Sequence, residues 1–568
     1  MRSPFLHFRK SLVIVLIPIW GFVQSNAQTV SFQWAKQMGG TMDDNSYCVA
    51  TDHLGNVYTT GTFKGVADFD PGAATFNLTS FGLADIYVSK LDASGNFVWA
   101  KQIGGASIDM VNAITVDTAG NVYITGFFQG TADFDPGAGT LNLTSAGVRD
   151  IFVCKLNASG NLVWAKQFAG TADEQAKAIA LDAAGNVYTT GYFTGTVDFD
   201  PGAGVSSLTT SGSNDIYVSK LDASGNFVWV KQMGGTSADI GYGIALDTSG
   251  NIYTTGNFTG TADFDPGTGT SNLTSNGSSD MFISKLDASG NFVWAKQIGG
   301  TLQDFGNAIA LDASGNVYTT GFFEDTADFD PGAGTSNLIS FGAADIYVLK
   351  LTSSGNFAWA KQMGGTSGDY GNSIALDAAG NVYTSGTFYG TSDFDPGTGT
   401  VNLTSFGNTD IFISKLDASG NFVWAKQMGG SGYDWCDHVV LDGSANIYVT
   451  GFFDSTSDFD PGAGTNNLTS AGGLDAFVAK LSQTTGIEEQ QIDADISIYP
   501  NPTNKYIVVE KSNGATYTIS GLDGKLWEQG DIQSSKQEIH INALPAGLYL
   551  LQLRNKAGEY KRFKILKE

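Results

Sequence analysis

Residues 292–356 read FVWAKQIGGTLQDFGNAIALDASGNVYTTGFFEDTADFDPGAGTSNLISFGAADIYVLKLTSSGN. Ala308 to Asp312 is a β-rich segment, and the VYTTGFF after it alternates and is rich in β-branched and aromatic residues. DIYVLKL, further on, pairs naturally with the FAWAKQ that opens the next stretch. The turns DASGN (312–316) and TSSGN (352–356) read as a type I turn closed by a left-handed glycine, a common hairpin ending. Two hairpins, four strands in all, are the make-up of one propeller blade.

The same 65 residues recur. Trp34, Trp99, Trp164, Trp229, Trp294, Trp359 and Trp424 keep that spacing without exception. DFDPG keeps it too, starting at Asp68, Asp133, Asp198, Asp263, Asp328, Asp393 and Asp458. A period with no drift means that every unit occupies an equivalent place. The ends of the array interlock. The first unit opens with FQWAKQ (Phe32 to Gln37) and lacks the preceding DIYVSKL partner; the last ends in DAFVAKL (Asp475 to Leu481) and lacks its FVWAKQ partner. Pairing the two orphans would complete the seventh blade and remove two exposed edges, whereas an open solenoid calls for modified caps. The expected fold is all-β: a seven-bladed β-propeller over residues 28–481, closed by the N- and C-terminal strands.

Composition agrees with this and excludes other classes. At 568 residues the chain is too long for one ordinary core. Its 73 Gly stand beside only 12 Pro and show no three-residue period, which argues against collagen. A net charge of −26 argues against nucleic acid, because phosphate binding needs clustered Lys and Arg. Cys48, Cys154 and Cys436 show no CxxC spacing, so neither a disulfide scaffold nor a zinc site is indicated. Cys48 and Cys436 fall at similar depths of the first and last repeats, where closure would make them neighbours, either disulfide-bonded or as two buried thiols. Residues 1–27 have the parts of a cleaved secretory signal: Arg2, Arg9 and Lys10, an apolar run from Ser11 to Val23, and Ser25-Asn26-Ala27. That run is short for a membrane span, and no other stretch is long and apolar enough to cross a bilayer.

Residues 482–495 are polar, acidic and aperiodic, and read as a linker. Residues 496–568 hold no repeat and carry ten Lys or Arg against seven Asp or Glu, unlike the acidic array before them. Short alternating runs broken at Asn513-Gly514 and Asp523-Gly524 predict a small β-sandwich.

Two resemblances follow. The strings WAKQMGG, ALDASGNVYTTG and DIYVSKLDASGN make the units similar to the SBBP-type β-propeller repeat of secreted bacterial proteins, over about residues 32–481. YPNPT (Tyr499 to Thr503), LPAGLYLLQL (Leu544 to Leu553) and KRFKILK (Lys561 to Lys567) make the C-terminal segment resemble the type A sorting domain of the type IX secretion system. The second resemblance implies that residues 496–568 are recognised by the type IX machinery after the Sec step, and that the cargo is released or attached to the outer-membrane cell surface. The first implies architecture and little chemistry.

A residue present in all seven units is needed for the blade itself. The seven Trp, Tyr58, Phe63 and Phe69 with their equivalents are therefore assigned to core, with carbohydrate stacking as the alternative. Asp44, Asp109, Glu174, Asp239, Asp304, Asp369 and Asp434 lie ten residues after each Trp, in the loop between successive blades. In a ring these acids would circle one face, either bonded to loop amides or open as a cation-attracting channel mouth. DFDPG sets two carboxylates two residues apart, as in Asp68 and Asp70 or Asp133 and Asp135. Such loops can bind calcium, although the closing Glu of an EF-hand is missing and an Asp-stabilised turn is the other reading. His53, His438 and His540 have neither ligand spacing nor an obvious Ser or Cys partner. No catalytic residue and no cofactor is assigned, and the chain is not read as an enzyme. The seventh unit is the oddest, with GYDWCDHVVLDGSAN, which end-of-array drift accounts for. The reading is an exported binding or structural module for an extracellular protein or glycan. The alternatives are a polysaccharide-active enzyme on a propeller scaffold and a calcium-dependent adhesin.

Overall fold

The computed structural model describes residues 29–484, 496–510, 514–521, 525–554 and 560–568, and every regular element in them is a β-strand. The signal segment (1–27) and residues 485–495 lie outside the described residues. The repeats form one compact unit, Val30–Thr484, and the C-terminal residues belong to a second.

The fourth repeat shows how a unit is built. Its inner strand Asp239–Leu246 pairs with Ile252–Phe258, then Asp280–Leu286, then the outer strand Phe292–Gly300, all antiparallel. The first turn is held by Asp247. Its Oδ1 accepts the N–H of Ser249 (2.9 Å) and Asn251 (3.0 Å), and its Oδ2 accepts Asn251 Nδ2 (2.7 Å). Gly250 takes the left-handed conformation that closes the bulge, at φ +79°. Behind the turn, Tyr253, Lys285 and Trp294 stand in register across three strands. The Lys285 ammonium lies 4.7 Å from the Tyr253 centroid, and the Tyr and Trp rings meet edge-on at 6.1 Å. The tyrosine of this row is fully buried in every repeat, as the core assignment requires.

Five units also have two short strands that the sequence pattern does not show; in the third and fifth the same segments are the ends of longer strands, Val187–Asp198 with Ser207–Leu221 and Val317–Asp328 with Asn337–Leu351. Thr261–Asp263 pairs with Asn272–Thr274, and the end of the preceding outer strand pairs onto them through Gly234↔Asp263 and Gly235↔Ala262. TAD and NLT are three residues long and largely polar, so they give no hydrophobic run to read. They latch one four-stranded meander to the next. The approach is so close that a Cβ on Gly235 would lie 2.0 Å from the Thr261 carbonyl oxygen, which explains the Gly at the end of each outer strand.

The chain ends meet. Asp475–Thr484 pairs with Thr29–Gly40, which continues to the first repeat's short strands through Gly39↔Asp68. Trp34 thereby meets Tyr448 at 6.2 Å, the geometry found within the other meanders. The inner strands touch in chain order, and the last of them, Asp434–Leu441, touches the first, Asn45–Thr51. Ser482–Thr484 belong to this closing strand and not to a linker. Gln483 is held there because its Oε1 accepts from Lys415 Nζ (3.0 Å) and its Nε2 donates to the Ala445 carbonyl (3.0 Å). Cys48, Cys154 and Cys436 are all free and buried.

The C-terminal unit has two antiparallel sheets. Ser497–Tyr499, Tyr506–Glu510 and Lys536–His540 form one; Leu526–Asp531, Thr516–Gly521, Gly547–Arg554 and Tyr560–Lys567 form the other. Ile507, Val509 and Ile539 of the first share a core with Ile519, Leu551 and Ile565 of the second. The three quoted motifs converge here. Thr503 N donates to Leu566 O (2.9 Å), Asn501 Nδ2 to Lys564 O (2.6 Å), and LYLLQLR pairs along the full basic strand.

Candidate binding site at the inner strands

The acidic ring is not an open mouth. Asp44, Asp109, Glu174, Asp239, Asp304, Asp369 and Asp434 are at most 1% exposed. Asp239 is representative: its Oδ2 accepts the Gly235 N–H (2.7 Å) and its Oδ1 the Thr259 N–H (3.2 Å). Each acid thus satisfies loop amides, the cheaper use of a carboxylate in a tight connection. Its neighbour Asp215 is equally buried. Asp215 Oδ2 accepts from Gln232 Nε2 (2.6 Å) and Ser211 N (2.9 Å), while Oδ1 has no partner. Desolvation, with Asp215 adding repulsion, pushes Asp239 up to about 7; desolvation, with Asp150 adding repulsion, takes Glu174 to about 8.

The DFDPG carboxylates also serve their own turn. Asp68 Oδ1 accepts from Asp70 N (3.0 Å) and Phe76 N (2.8 Å), and Asp70 Oδ1 from Gly72 N (2.8 Å). Asp133 and Asp135 repeat the pattern with Leu141 N and Gly137 N. Among the described residues, no group of three or more His, Cys, Asp or Glu is arranged to hold a metal ion.

The unlike residues gather elsewhere. A cavity of about 430 Å3 is lined by residues of all seven inner strands. At one equivalent position the first four repeats contribute Tyr47, Asn112, Lys177 and Tyr242, and the last three contribute Asn307, Asn372 and Asp437. Next to these the floor is apolar, with Ile114, Ile179, Ile244, Ile309 and Ile374. Three of the Asn side chains donate to backbone carbonyls of the next repeat, Asn112 to Ala176, Asn307 to Gly371 and Asn372 to Cys436 (2.7–3.0 Å).

Two residues earlier on each inner strand, at one end of the cavity, all seven repeats differ: Asn45, Met110, Gln175 and Ile240, then Phe305, Tyr370 and Trp435. The rim is divided accordingly. From the fourth repeat to the seventh runs a continuous aromatic arc. Tyr242 meets Phe305 (6.2 Å), which stacks on Phe322 (4.8 Å, 12°); Tyr370 and Trp435 follow (6.4 Å), and Trp435 lies parallel to Phe452 (6.2 Å). All six rings are only half-buried. Facing them in sequence order are the second and third repeats, with Arg149 over the Phe127 ring (4.6 Å) and near Asp173 (3.5 Å). Lys177 donates to Gln175 Oε1 (2.8 Å) and lies 5.9 Å from the Tyr192 ring. Burial lowers the Lys177 ammonium to about 8 and raises the Asp437 carboxyl to about 8; Asp437 Oδ1 accepts from Trp435 Nε1 (3.1 Å) and Oδ2 has no partner. Burial takes His438, beside it, down to about 4.

Reading the repeats for what they share passed over this site. The signal was present in what they do not share. Arg149 is the sole Arg between residues 28 and 484, and Lys64 and Lys177 are the only Lys there that fall outside the two repeated Lys positions. The WCDH of the seventh repeat, read as drift, supplies Trp435, Asp437 and His438 to the cavity.

Comparison with known proteins identifies the class. Residues 98–126, 228–264, 293–321 and 358–393 match the SBBP β-propeller repeat, and residues 497–568 match the secretion system C-terminal sorting domain. The chain is an SBBP-repeat β-propeller protein that carries a type IX sorting domain at its C-terminus. It is 25% identical over 500 residues to the uncharacterized WD repeat-containing protein L264 of Acanthamoeba polyphaga mimivirus, covering 74% of this chain and 36% of that one. It is 23% identical over 429 residues to the regulatory protein FlaEY of Caulobacter vibrioides, covering 70% and 43%. The chain therefore spans well under half the length of these relatives. Sqt1 from Chaetomium thermophilum overlaps 80% of this chain and 100% of its own, at 11% identity and a TM-score of 0.37. The sorting domain implies secretion and attachment at the cell surface by the type IX machinery. Among the described residues no helix is long and apolar enough to cross a membrane.

Proposed function

We propose that residues 28–484 close into a seven-bladed propeller and that the protein, delivered by its C-terminal domain after Sec export, works outside the cell as a binding module through the cavity of the inner strands. The pairing of the chain ends and the cavity lined by all seven repeats support closure. One observation carries the binding role: the Tyr of the packing row is the same in seven repeats, while the rim position holds seven different residues. Packing alone gives no reason for that diversity; a site that must fit an asymmetric ligand does. The test is an array of glycans and peptides probed with the full chain and with a variant carrying Trp435→Ala and Tyr370→Ala. A ligand retained by the first and lost by the second is expected. Identical profiles, or none, would reduce the protein to a scaffold.

A second reading, a polysaccharide-active enzyme, draws on Lys177 and Asp437, two cavity groups shifted toward neutrality as catalytic acids and bases are. We place it second because neither group hydrogen-bonds to a nucleophile in the structure. Incubating array ligands with the protein and following chain length by mass spectrometry separates the two: shortening means catalysis, unchanged length means binding.

A further inference from the structure

We propose that the cavity and its rim recognise an acidic carbohydrate, its ring lying against the aromatic arc and its carboxylate against the cations of the second and third repeats. The proposal rests on the binding reading above and names the ligand class for that site.

The protein carries −26 and its repeats hold few cations, nearly all of them at the two repeated Lys positions. Of the three that break the pattern, Lys64 pairs with Asp43 at 3.0 Å. The other two stand in adjacent repeats: Lys177 lines the cavity, and Arg149, beyond its lining, is close enough to act on the Lys177 ammonium and pairs with Asp173 (3.5 Å). The carboxylate open to them, Asp173, is shared between Arg149 and the Tyr192 hydroxyl (3.1 Å), while the adjacent Asp150 and Glu174 are buried against loop amides. Lys177 has only a neutral acceptor, Gln175 Oε1, and Arg149 Nε is buried with no partner. Outside those buried sockets the arc has two cations against one carboxylate, opposite to the sign of the whole molecule. A half-desolvated ammonium without an anion is costly, and an incoming carboxylate would relieve it through charge-assisted hydrogen bonds.

The other arc fixes the shape of the ligand. Six half-buried rings in contact, from Tyr242 to Phe452, form an apolar wall several ring-widths long, with Tyr and Trp edges that carry polar handles. Such a wall suits the flat C–H face of a sugar ring, whose hydroxyls find the Asn and Tyr side chains of the cavity. A volume of about 430 Å3 lies in the usual range for small-molecule sites, about 300–1,000 Å3.

Trigalacturonate and its methyl ester test the idea, since the two share rings and linkages and differ only in the carboxylates. Titration calorimetry with the full chain is expected to show the acid binding at least about tenfold tighter than the ester, a preference that weakens as salt rises. Lys177→Met is expected to bring the acid down to the level of the ester; Lys177→Gln is the second choice if the Met variant melts early. Tyr370→Ala is expected to weaken both ligands alike. Equal binding of acid and ester, lost in Tyr370→Ala, would overturn the acidic class and leave the binding module standing. Binding of the acid undiminished in both Lys177 variants would overturn the site. No binding of either probe at millimolar concentration would overturn the proposal, and with an empty array would remove the binding reading as well.

Discussion

Tyr253 and Ile240 lie thirteen residues apart on neighbouring strands of the fourth repeat, yet their positions in the array behave in opposite ways. At the first, all seven repeats carry Tyr; at the second, no two agree. The difference follows from what each side chain touches. Tyr253 is fully enclosed, held by the Trp294 ring, the Lys285 ammonium and a hydroxyl bond to Asp247 (3.2 Å), so its shape is dictated on every side. Ile240 borders the cavity rim and has solvent on one side, so the fold tolerates anything there and function is free to choose. The contrast can be broken most directly by truncation. Tyr253→Ala should lower stability by about 3–5 kcal/mol in urea unfolding, whereas Tyr370→Ala at the rim should leave the midpoint nearly unchanged. Comparable losses at both would mean that the rim aromatics are core.

The same contrast runs through the carboxylates. The turn aspartates, such as Asp222 and Asp247, have pKa values lowered by hydrogen bonds from their own turns. They stabilise the fold above the unfolded value of about 4 and lose that effect as pH falls through their lowered folded values. The junction acids are raised to about 7, and Glu174 to about 8. Their contribution is full below the unfolded value and is lost as pH rises through 7 to 8, when buried carboxylates must ionise beside their raised neighbours. Lys177 and His438, both lowered by burial, work the other way, but they are outnumbered by the seven junction acids and Asp437. The melting temperature should therefore be highest between about pH 4 and 7 and fall by several degrees from pH 6 to pH 9. A flat profile over that interval would show that the sockets ionise freely.

A third comparison sets the turn against the row it supports. Asp247→Ala removes the acceptor for two backbone amides, one side-chain amide and the Tyr253 hydroxyl, yet leaves the rings packed. A loss of about 1–3 kcal/mol is expected by the same urea measurement, clearly smaller than for Tyr253→Ala. If the two variants lost equal amounts, the turn and the row would be one cooperative unit.

These differences also explain what could be read in advance. The strands, the turns and the meeting of the chain ends follow from a period repeated without drift, because a core position leaves the same mark seven times. The short latching strands left none, being polar and three residues long. The acids were legible as loop residues but not as buried ones, since burial depends on the neighbouring meander closing over them. The cavity was missed for the opposite reason: Lys177, Tyr242 and Asp437 come together only across repeats, and a search for shared residues discards each of them.

The smallest effect concerns the backbone. In six repeats the first turn ends with Gly in the left-handed region, from Gly55 to Gly380 (φ +75° to +79°). The seventh has Ala445 there, at φ +59°, with the same bond from its N–H to the Asp442 carbonyl (2.9 Å). An L-residue in that conformation costs about 1–2 kcal/mol through its Cβ, and part of this is returned because Ala restricts the unfolded chain more than Gly does. Ala445→Gly should therefore raise stability by about 0.5–1 kcal/mol, while Gly315→Ala in the fifth repeat should lower it by a similar amount. Equal and opposite shifts would show that the seventh repeat uses the same turn as the others and that the divergence of its inner strand is confined to the cavity. If Ala445→Gly destabilised instead, the turn of the last repeat would differ from the rest, and its unusual sequence would need an explanation beyond the site.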